Sequence, residues 1–404
     1  MNEKIVGIGL KSLEHEFGKE IVENAIKSVE KFKVEIPSWV FGEFGGGRFG
    51  DYMPPGFARN VFEKLDDAAF INKLTDAVSS IATHVLWEFS DDGETVSLKK
   101  TETVLAAANK NNLKLGSVSP TYFLKGSHKG SLSANNNEIR RKFVDQTIMA
   151  AEIAEKFASN LITLWLPDGS NYPGQIELSD AIDNTRKSLR EISSQISKDV
   201  KCLIEYKVFE PGTYSTVLSD WGSAYLMAKE FGSNAGVLID LGHHHHGTNI
   251  EQIIARLIND GISAGIHINT RYAADDDHSA EPNSEMARIF YELVKGNTFE
   301  GENKWEIMID QCSVRENRMH AILHTIDTLQ SCLAKAMLVD SERLRELQKD
   351  DEVILANRFF NNALLNADVR PIVAAARLNK NLPVNPFEEF IKSGYQQKIE
   401  EERK

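Results

Sequence analysis

Short runs of apolar residues alternate with segments of helical periodicity along most of the chain. Eight of these runs are typical of buried β-strands, and they span residues 37–44, 84–90, 113–120, 160–167, 201–208, 236–242, 264–270 and 305–311. The intervening segments, including residues 137–158 and 249–260, carry apolar residues three and four positions apart, which predicts helices. Eight strands alternating with helices indicate a parallel sheet. The number eight favours closure of that sheet into a (β/α)₈ TIM barrel.

The two ends of the chain lack the strand pattern. Residues 1–34 have helical periodicity and are predicted to precede a barrel domain over residues 35–320. From about residue 315 onward no strand-like run occurs, and residues 321–404 are predicted to form two or three helices. We therefore expect a TIM barrel with a C-terminal helical extension.

Composition and charge narrow the range of functions. The 404 residues have a net charge of −13 and no basic stretch longer than a pair, which argues against nucleic acid or an anionic membrane as the partner. No apolar run approaches the roughly 20 residues of a membrane helix. The charged N-terminus has no signal core, so cytoplasmic residence is the default expectation. The three cysteines have no metal-like spacing, so neither a zinc site nor a disulfide framework is expected.

Four consecutive predicted strands, the fifth to the eighth, end in potential metal ligands. These are Glu205, Asp240, His267 and Asp310. Because the strands of a parallel barrel end at one mouth, we expect the four side chains to surround one ion. Carboxylates and imidazoles without cysteine favour Mn, Mg, Co or Zn over softer metals.

A second set of ligands is expected beside the first. His243 follows Asp240 by three residues, so both side chains share one side if the chain turns helically there. Asp275 and Asp277 are two apart and face the same way in an extended backbone. Asp240 could bridge the two ions. Five carboxylates carry a charge of about −5, and two divalent cations would nearly neutralise them.

Each of these residues also has an ordinary structural explanation. A single Asp or Glu at a strand end is often a helix cap or a surface charge, and His243 to His246 could form a solvated loop. Lys207 could be a strand-end lysine paired with Glu205 or Glu210, and Trp87 and Trp165 could be core residues. The coincidence of so many ligands at matching strand ends favours the metal site.

Several motifs together resemble L-rhamnose isomerases of the broad-specificity bacterial type, within the xylose isomerase-like barrels. They are E-x-K at Glu205–Lys207, D-x-x-H at Asp240–His243, H-x₇-D-x-D at His267–Asp277, and the strand-end Asp310. Three further stretches agree, namely THVLWEF with His84 and Trp87, LWLPDGSNYPGQ with Trp165 and Asp168, and GGGRFGDYMPPGFARNVFEKLDD.

The resemblance implies an enzyme that interconverts L-rhamnose and L-rhamnulose and acts on related aldoses such as L-lyxose, L-mannose and D-allose. It implies a homotetramer with two divalent ions per subunit, Mn first and Co, Zn or Mg as alternatives. The ions would be held by Glu205, Asp240, His267 and Asp310, and by His243, Asp275 and Asp277. Lys207, Asp310 and His243 would act in catalysis. The pocket would be lined by His84, Trp87, Trp165, Lys207 and, from a neighbouring subunit, Phe49.

Three other functions compete with this hypothesis. A sugar epimerase of the same barrel superfamily would need one metal and two free glutamates beside C3. A metal-dependent DNA phosphoesterase is disfavoured by the charge of −13, and a sugar-binding protein gives no reason to gather five carboxylates. We favour metal-assisted hydride transfer between C1 and C2, because no unligated carboxylate stands out as a base.

Overall fold

The computed structural model describes residues 3–42, 52–124, 126–210, 214–271, 277–301 and 304–404. Eight parallel strands close into a barrel, with β8 hydrogen-bonded to β1. They are β1 (Val34–Pro37), β2 (Val78–His84), β3 (Leu115–Ser119), β4 (Leu161–Trp165), β5 (Lys201–Glu205), β6 (Ala235–Asp240), β7 (Ala264–Ile268) and β8 (Glu306–Ile309). The predicted TIM barrel is confirmed.

Helices follow the strands along the chain and cover the outside of the barrel. They are α1 (Glu3–Phe17), α2 (Lys19–Lys31), α3 (Val61–Thr75), α4 (Val85–Glu88), α5 (Leu98–Lys110), α6 (Asn137–Lys156), α7 (Leu178–Gln195), α8 (Trp221–Phe231), α9 (Ile250–Asn259) and α10 (Ser284–Lys295). A small antiparallel sheet of Gly169–Ser170, Phe209–Glu210 and Tyr214–Thr216 lies beyond β4 and β5. None of the helices in the described ranges has the length and apolar character needed to cross a membrane.

The C-terminal extension is helical, as predicted, but the expected two or three helices were too few. It comprises α11 (Arg318–Met337), α12 (Ser341–Lys349), α13 (Val353–Asn361), a π-helical turn (Asn362–Asn366), α14 (Arg370–Asn379), α15 (Pro386–Ser393) and α16 (Tyr395–Glu402). Helix α2 packs against α11 and α14. The two chain ends therefore share one helical layer.

The positions predicted for the first two strands were wrong. Residues 37–44 and 84–90 begin where β1 and β2 end, and they continue as a 3₁₀ turn (Ser38–Phe41) and as α4. The true strands β1 and β2 were not predicted because they carry polar side chains that interrupt the apolar pattern. These side chains form hydrogen bonds with one another inside the barrel. Ser80 Oγ, for example, donates to Glu35 Oε2 at 2.6 Å.

Alternation of side chains along the strands places the ligand candidates at the mouth. The barrel interior contains an apolar cluster of Leu161, Leu203, Leu238 and Met308. Two residues beyond the last three of these stand Glu205, Asp240 and Asp310. Because side chains two apart on a strand face the same way, these three carboxylates also point inward, one layer nearer the C-terminal mouth. His267 pairs in register with Asp240.

Candidate metal and sugar site

Four predicted ligands converge at the C-terminal mouth of the barrel. Glu205, Asp240, His267 and Asp310 each offer one ligand atom, and these atoms all lie within 4.8 Å of one another. Nδ1 of His267 lies 3.3 Å from Oε1 of Glu205 and 3.5 Å from Oδ2 of Asp310. It lies 3.7 Å from Oδ2 of Asp240. Atoms that each bind one ion at about 2.0–2.2 Å are separated by comparable distances.

The electrostatics of this cluster fit a divalent cation. Burial raises the pKa of Asp310 to about 6, with a further contribution from neighbouring carboxylates. Burial also raises the pKa of Asp240. It opposes protonation of His267, yet Glu205 and the other carboxylates raise the pKa of that imidazole to about 9. Among the residues that the structure describes, the buried Nδ1 of His267 has no hydrogen-bond partner. A cation among these groups would satisfy the imidazole nitrogen and neutralise the carboxylates.

Hydrogen bonds from outside the cluster orient two of the carboxylates. Asp240 accepts from the backbone N–H of Gly242 at 2.8 Å and from Nδ2 of Asn269 at 3.1 and 3.3 Å. Asp310 accepts from Nε1 of Trp39 at 2.9 Å. Trp39 and Asn269 are not among the site residues predicted from the sequence. A usable signal was present for Trp39, since it follows β1 as Trp87 follows β2.

Part of the second ligand set lies beside the first. Nδ1 of His243 lies 3.2 Å from Oε1 of Glu205 and 3.1 Å from the backbone oxygen of Tyr206. The backbone oxygen of Asp277 accepts from the N–H of Cys312 at 2.9 Å, which places Asp277 next to the end of β8. Asp275 lies outside the described residues, as does Phe49. The second ion site stays a prediction.

Aromatic side chains occupy the other half of the mouth, at the ends of β1 to β4. The ring centres of His84 and Trp87 are 4.0 Å apart, and those of Phe123 and Trp165 are 4.6 Å apart. Trp87 and Phe123 are stacked at 6.2 Å, and Trp39 meets His84 edge-on at 5.1 Å. We call these five side chains the aromatic wall. The structure thus brings the predicted pocket residues His84, Trp87 and Trp165 together.

Phe123 belongs to the wall although it is not among the pocket residues predicted from the sequence. Its side chain is 40 % exposed, whereas the preceding Tyr122 is fully buried. The hydroxyl groups of Tyr122 and Thr147 are 2.6 Å apart and anchor the loop inward. Farther along, the carboxylate of Asp168 accepts from the backbone N–H groups of Ser131 at 2.7 Å and Ser133 at 3.0 Å. This anchoring leaves Phe123 facing the mouth.

Lys207 lies where the acidic half meets the aromatic wall. Its buried Nζ is 2.6 Å from Oε2 of Glu210 and 4.9 Å from the centre of the Trp165 ring. Of the two ion-pair partners that the sequence offered, the structure therefore has Glu210. A compact cation at this position can contact an oxygen of a ligand that also touches the cluster.

The histidine run divides between the interior and the surface. His244 is buried, and its Nε2 lies 2.7 Å from the hydroxyl oxygen of Tyr206. His245 and His246 are exposed. His244 therefore supports Tyr206, the residue between Glu205 and Lys207, and only the last two histidines match the solvated loop considered from the sequence.

Comparison with known proteins identifies the family. The L-rhamnose isomerase (RhaA) family model matches residues 17–360. The chain belongs to the L-rhamnose isomerase family. This isomerase is 34 % identical over 385 residues to a probable sugar isomerase of Mesorhizobium japonicum, covering 93 % of this chain and 87 % of the relative. It is 22 % identical over 362 residues to the L-rhamnose isomerase of Rhodopirellula baltica, covering 82 % and 81 %.

The isomerase also shares its fold with a solved L-ribulose 3-epimerase. The TM-score is 0.55 at 12 % identity, over 77 % of this chain and 98 % of the other, and a similarity at this level concerns the fold alone. The family membership confirms the resemblance found in the motifs. The protein is a sugar isomerase with a monosaccharide substrate, and its acidic cluster could bind a metal ion.

Proposed function

We propose that this isomerase interconverts L-rhamnose and L-rhamnulose, and that it also accepts L-lyxose, L-mannose and D-allose. The observation that carries the proposal is the division of one barrel mouth into an acidic cluster and an aromatic wall. The cluster offers oxygen and nitrogen ligands within 4.8 Å of one another, and the wall offers ring faces. An aldose has hydroxyl and carbonyl oxygens at one end and C–H faces along the rest of its chain. The L-rhamnose isomerase of Rhodopirellula baltica is a relative of this chain, which supports the choice of sugar.

The proposed enzyme uses two divalent ions, with Mn²⁺ as the first candidate and Co²⁺, Zn²⁺ or Mg²⁺ as alternatives. One ion would be held by Glu205, Asp240, His267 and Asp310, and the other by His243, Asp275 and Asp277. Bound divalent ions polarise carbonyl and hydroxyl oxygens and fix their orientation. Nδ1 of His267 has no hydrogen-bond partner in the described part of the chain, and three carboxylates surround it; both observations support the first of these assignments.

Side chains of the chain itself would orient the sugar and stabilise charge. Lys207 would contact the terminal oxygen and stabilise the negative charge that develops there. Trp87 and Trp165 would pack against C–H groups of the open chain. His84 is enclosed by Trp39 and Trp87 and would contact the sugar from the β2 side. The wall would also exclude water from the reacting carbons.

The partners of the other acids at the mouth support a hydride shift. Among the described residues, Glu210 pairs with Lys207, Asp168 accepts from the 131–133 loop, and Glu88 pairs with Lys64 at 2.6 Å. None of these three carboxylates is left to remove a proton from C2. We therefore propose that the C2 hydrogen moves to C1 with its electron pair, while the proton of the O2 hydroxyl passes to O1. Turnover in deuterated water tests this step, and extensive solvent label at C1 or C2 would exclude it.

One assay tests the reaction itself. Protein treated with EDTA is assayed against a panel of aldoses and ketoses, with and without added Mn²⁺, and the products are identified by NMR. We expect Mn²⁺ to restore conversion of L-rhamnose to L-rhamnulose. Conversion of ketoses only to their C3 epimers would establish the alternative, a sugar epimerase. Sugar binding without turnover in the presence of Mn²⁺ would indicate a binding protein.

We also propose that the enzyme is a homotetramer in which Phe49 of one subunit reaches the pocket of another. Light scattering coupled to size-exclusion chromatography measures the subunit number. A monomer with full activity would remove Phe49 from the pocket of a neighbour.

A further inference from the structure

The carboxylate of Asp310, which follows β8, accepts a hydrogen bond from the indole of Trp39. Trp39 follows β1, the strand that pairs with β8 and closes the barrel. Nε1 of Trp39 donates to Oδ1 of Asp310 at 2.9 Å, while Oδ2 lies 3.5 Å from Nδ1 of His267. One oxygen therefore faces the indole and the other faces the acidic cluster. Trp39 is only 5 % exposed, so water competes little for this hydrogen bond. The indole thus fixes the direction in which Asp310 presents its second oxygen.

A residue of the C-terminal extension holds the turn that carries Trp39. Arg318 is the first residue of α11 and is buried. Its Nη1 donates to the backbone oxygens of Trp39 at 3.4 Å and Val40 at 2.9 Å, and also to that of Gly42. The last carbonyl groups of a helical turn lack partners within the turn, and a cation near them is favourable.

The guanidinium group of Arg318 is committed to this turn. Within the described part of the chain, no carboxylate pairs with Arg318, and its Nε and Nη2 are buried without hydrogen-bond partners. The carbonyl groups of residues 39, 40 and 42 are therefore what hold the charged group in place. Any displacement of Arg318 would move the turn, and with it the indole of Trp39.

We propose that Arg318 and Trp39 are positioning residues that act in series on Asp310. Arg318 fixes the turn after β1, and Trp39 in that turn fixes the carboxylate of Asp310. Through this route the helical extension sets the geometry of the metal centre. The inference rests on the metal centre proposed above, and it extends that proposal to two residues that are not themselves metal ligands.

The indole of Trp39 has both an N–H donor and an apolar ring, so a substitution that removes only the donor separates positioning of Asp310 from packing of the ring. A phenylalanine at position 39 would keep most of the ring contact with His84 and Trp87 but would lose the N–H donor. Removing a hydrogen-bond partner of a metal ligand commonly weakens metal affinity 10- to 100-fold. Trp305 supplies a matched control, because it is equally buried but precedes β8 at the opposite end of the barrel.

The experiment compares Trp39→Phe, Trp305→Phe, Arg318→Met and the double variant Trp39→Phe/Arg318→Met. Mn²⁺ is titrated calorimetrically into each EDTA-treated protein, and the visible spectrum of the Co²⁺-loaded protein reports the coordination geometry. We expect Trp39→Phe to lower Mn²⁺ affinity 10- to 100-fold and to change the Co²⁺ spectrum. Trp305→Phe should change neither. Arg318→Met should lower the affinity as well, and in the double variant the two losses should not add, because both act through one hydrogen bond.

Two failures are distinguishable. If the unaltered protein binds no Mn²⁺, the proposed metal centre is wrong. If it binds Mn²⁺ and Trp39→Phe matches Trp305→Phe in affinity and spectrum, the positioning role is wrong while the metal centre stands. Should circular dichroism show that Trp39→Phe is unfolded, Arg318→Met decides alone, since it leaves the indole in place. Unchanged affinity and spectrum in that variant would overturn the proposal.

Discussion

Nζ of Lys207 lies 2.6 Å from Oε2 of Glu210 and, at the same time, above the ring of Trp165. The lysine lies two residues beyond Glu205, the last residue of β5. Its ammonium group is therefore fixed between an ion-pair partner and an aromatic face, at the border between the acidic cluster and the aromatic wall. A charge held in this way can act on a substrate oxygen without first being ordered.

Replacing Lys207 by methionine should reduce turnover at least about a hundredfold, the usual effect of removing one group that stabilises developing charge. Metal content should stay unchanged, because the acidic cluster keeps its ligands. The measurements are kcat with saturating Mn²⁺ and metal analysis of the purified variant. Lys201→Met is the matched control, since Lys201 begins the same strand at the opposite end of the barrel. Full activity of Lys207→Met would remove this residue from the mechanism.

Replacing Asp310 by asparagine should weaken metal binding and thermal stability together. A bound ion stabilises the folded state by a free energy that increases with the logarithm of its affinity and concentration, so the rise in Tm on adding Mn²⁺ should shrink in the variant. Differential scanning calorimetry with and without Mn²⁺ measures this rise. Asp180→Asn, on the exposed surface of α7, should keep the full rise. An undiminished rise in Asp310→Asn would show that Asp310 is not a ligand.

Replacing Phe123 by leucine should raise KM for the sugar about 2- to 10-fold, since an aromatic contact contributes roughly 0.5–1.5 kcal/mol. Mn²⁺ affinity should not change, because Phe123 lies in the wall and not in the cluster. Steady-state kinetics and calorimetric titration measure the two effects. Phe62→Leu is the control, because Phe62 is also 40 % exposed but lies on α3. Equal KM values for Phe123→Leu and Phe62→Leu would show that the sugar does not contact Phe123.

The free energy of unfolding at mildly acidic pH should depend on His84. Burial lowers the pKa of His84 from 6.5 to about 4. Between these values the unfolded chain binds a proton that the folded chain does not. The free energy of unfolding therefore falls as the pH decreases through this window, by at most about 1.4 kcal/mol per pH unit for one such group.

His84→Gln should flatten this pH dependence. Urea unfolding of the metal-free protein at several pH values between 7 and 5 measures the slope, and metal-free protein is used because protonation also displaces bound ions. His15→Gln, on the exposed side of α1, should keep the slope of the unaltered protein. An equal decrease in the free energy of unfolding of His84→Gln and His15→Gln between pH 7 and 5 would contradict this prediction.

The six later strands and the ligand cluster were predictable because their signals are local. In the runs that form β5 to β8, apolar residues lead up to a ligand at or next to the strand end, so one run indicates both the strand and its chemistry. The first two strands gave no such signal. Ser80 on β2 donates a hydrogen bond to Glu35 on β1, and Glu35 also accepts from Ser117 on β3. Ser80 and Ser117 are 45 and 82 residues from Glu35 along the chain.

By itself the sequence determined the barrel, its helical extension and the convergence of Glu205, Asp240, His267 and Asp310, because strand number and side-chain alternation follow from short-range periodicity. Tertiary structure alone decided which groups support that site. Trp39 reaches Asp310, and Phe123 reaches Trp165, only after the sheet has closed and the loops have packed. Such contacts join positions far apart in the chain, and their geometry depends on packing that no local pattern encodes.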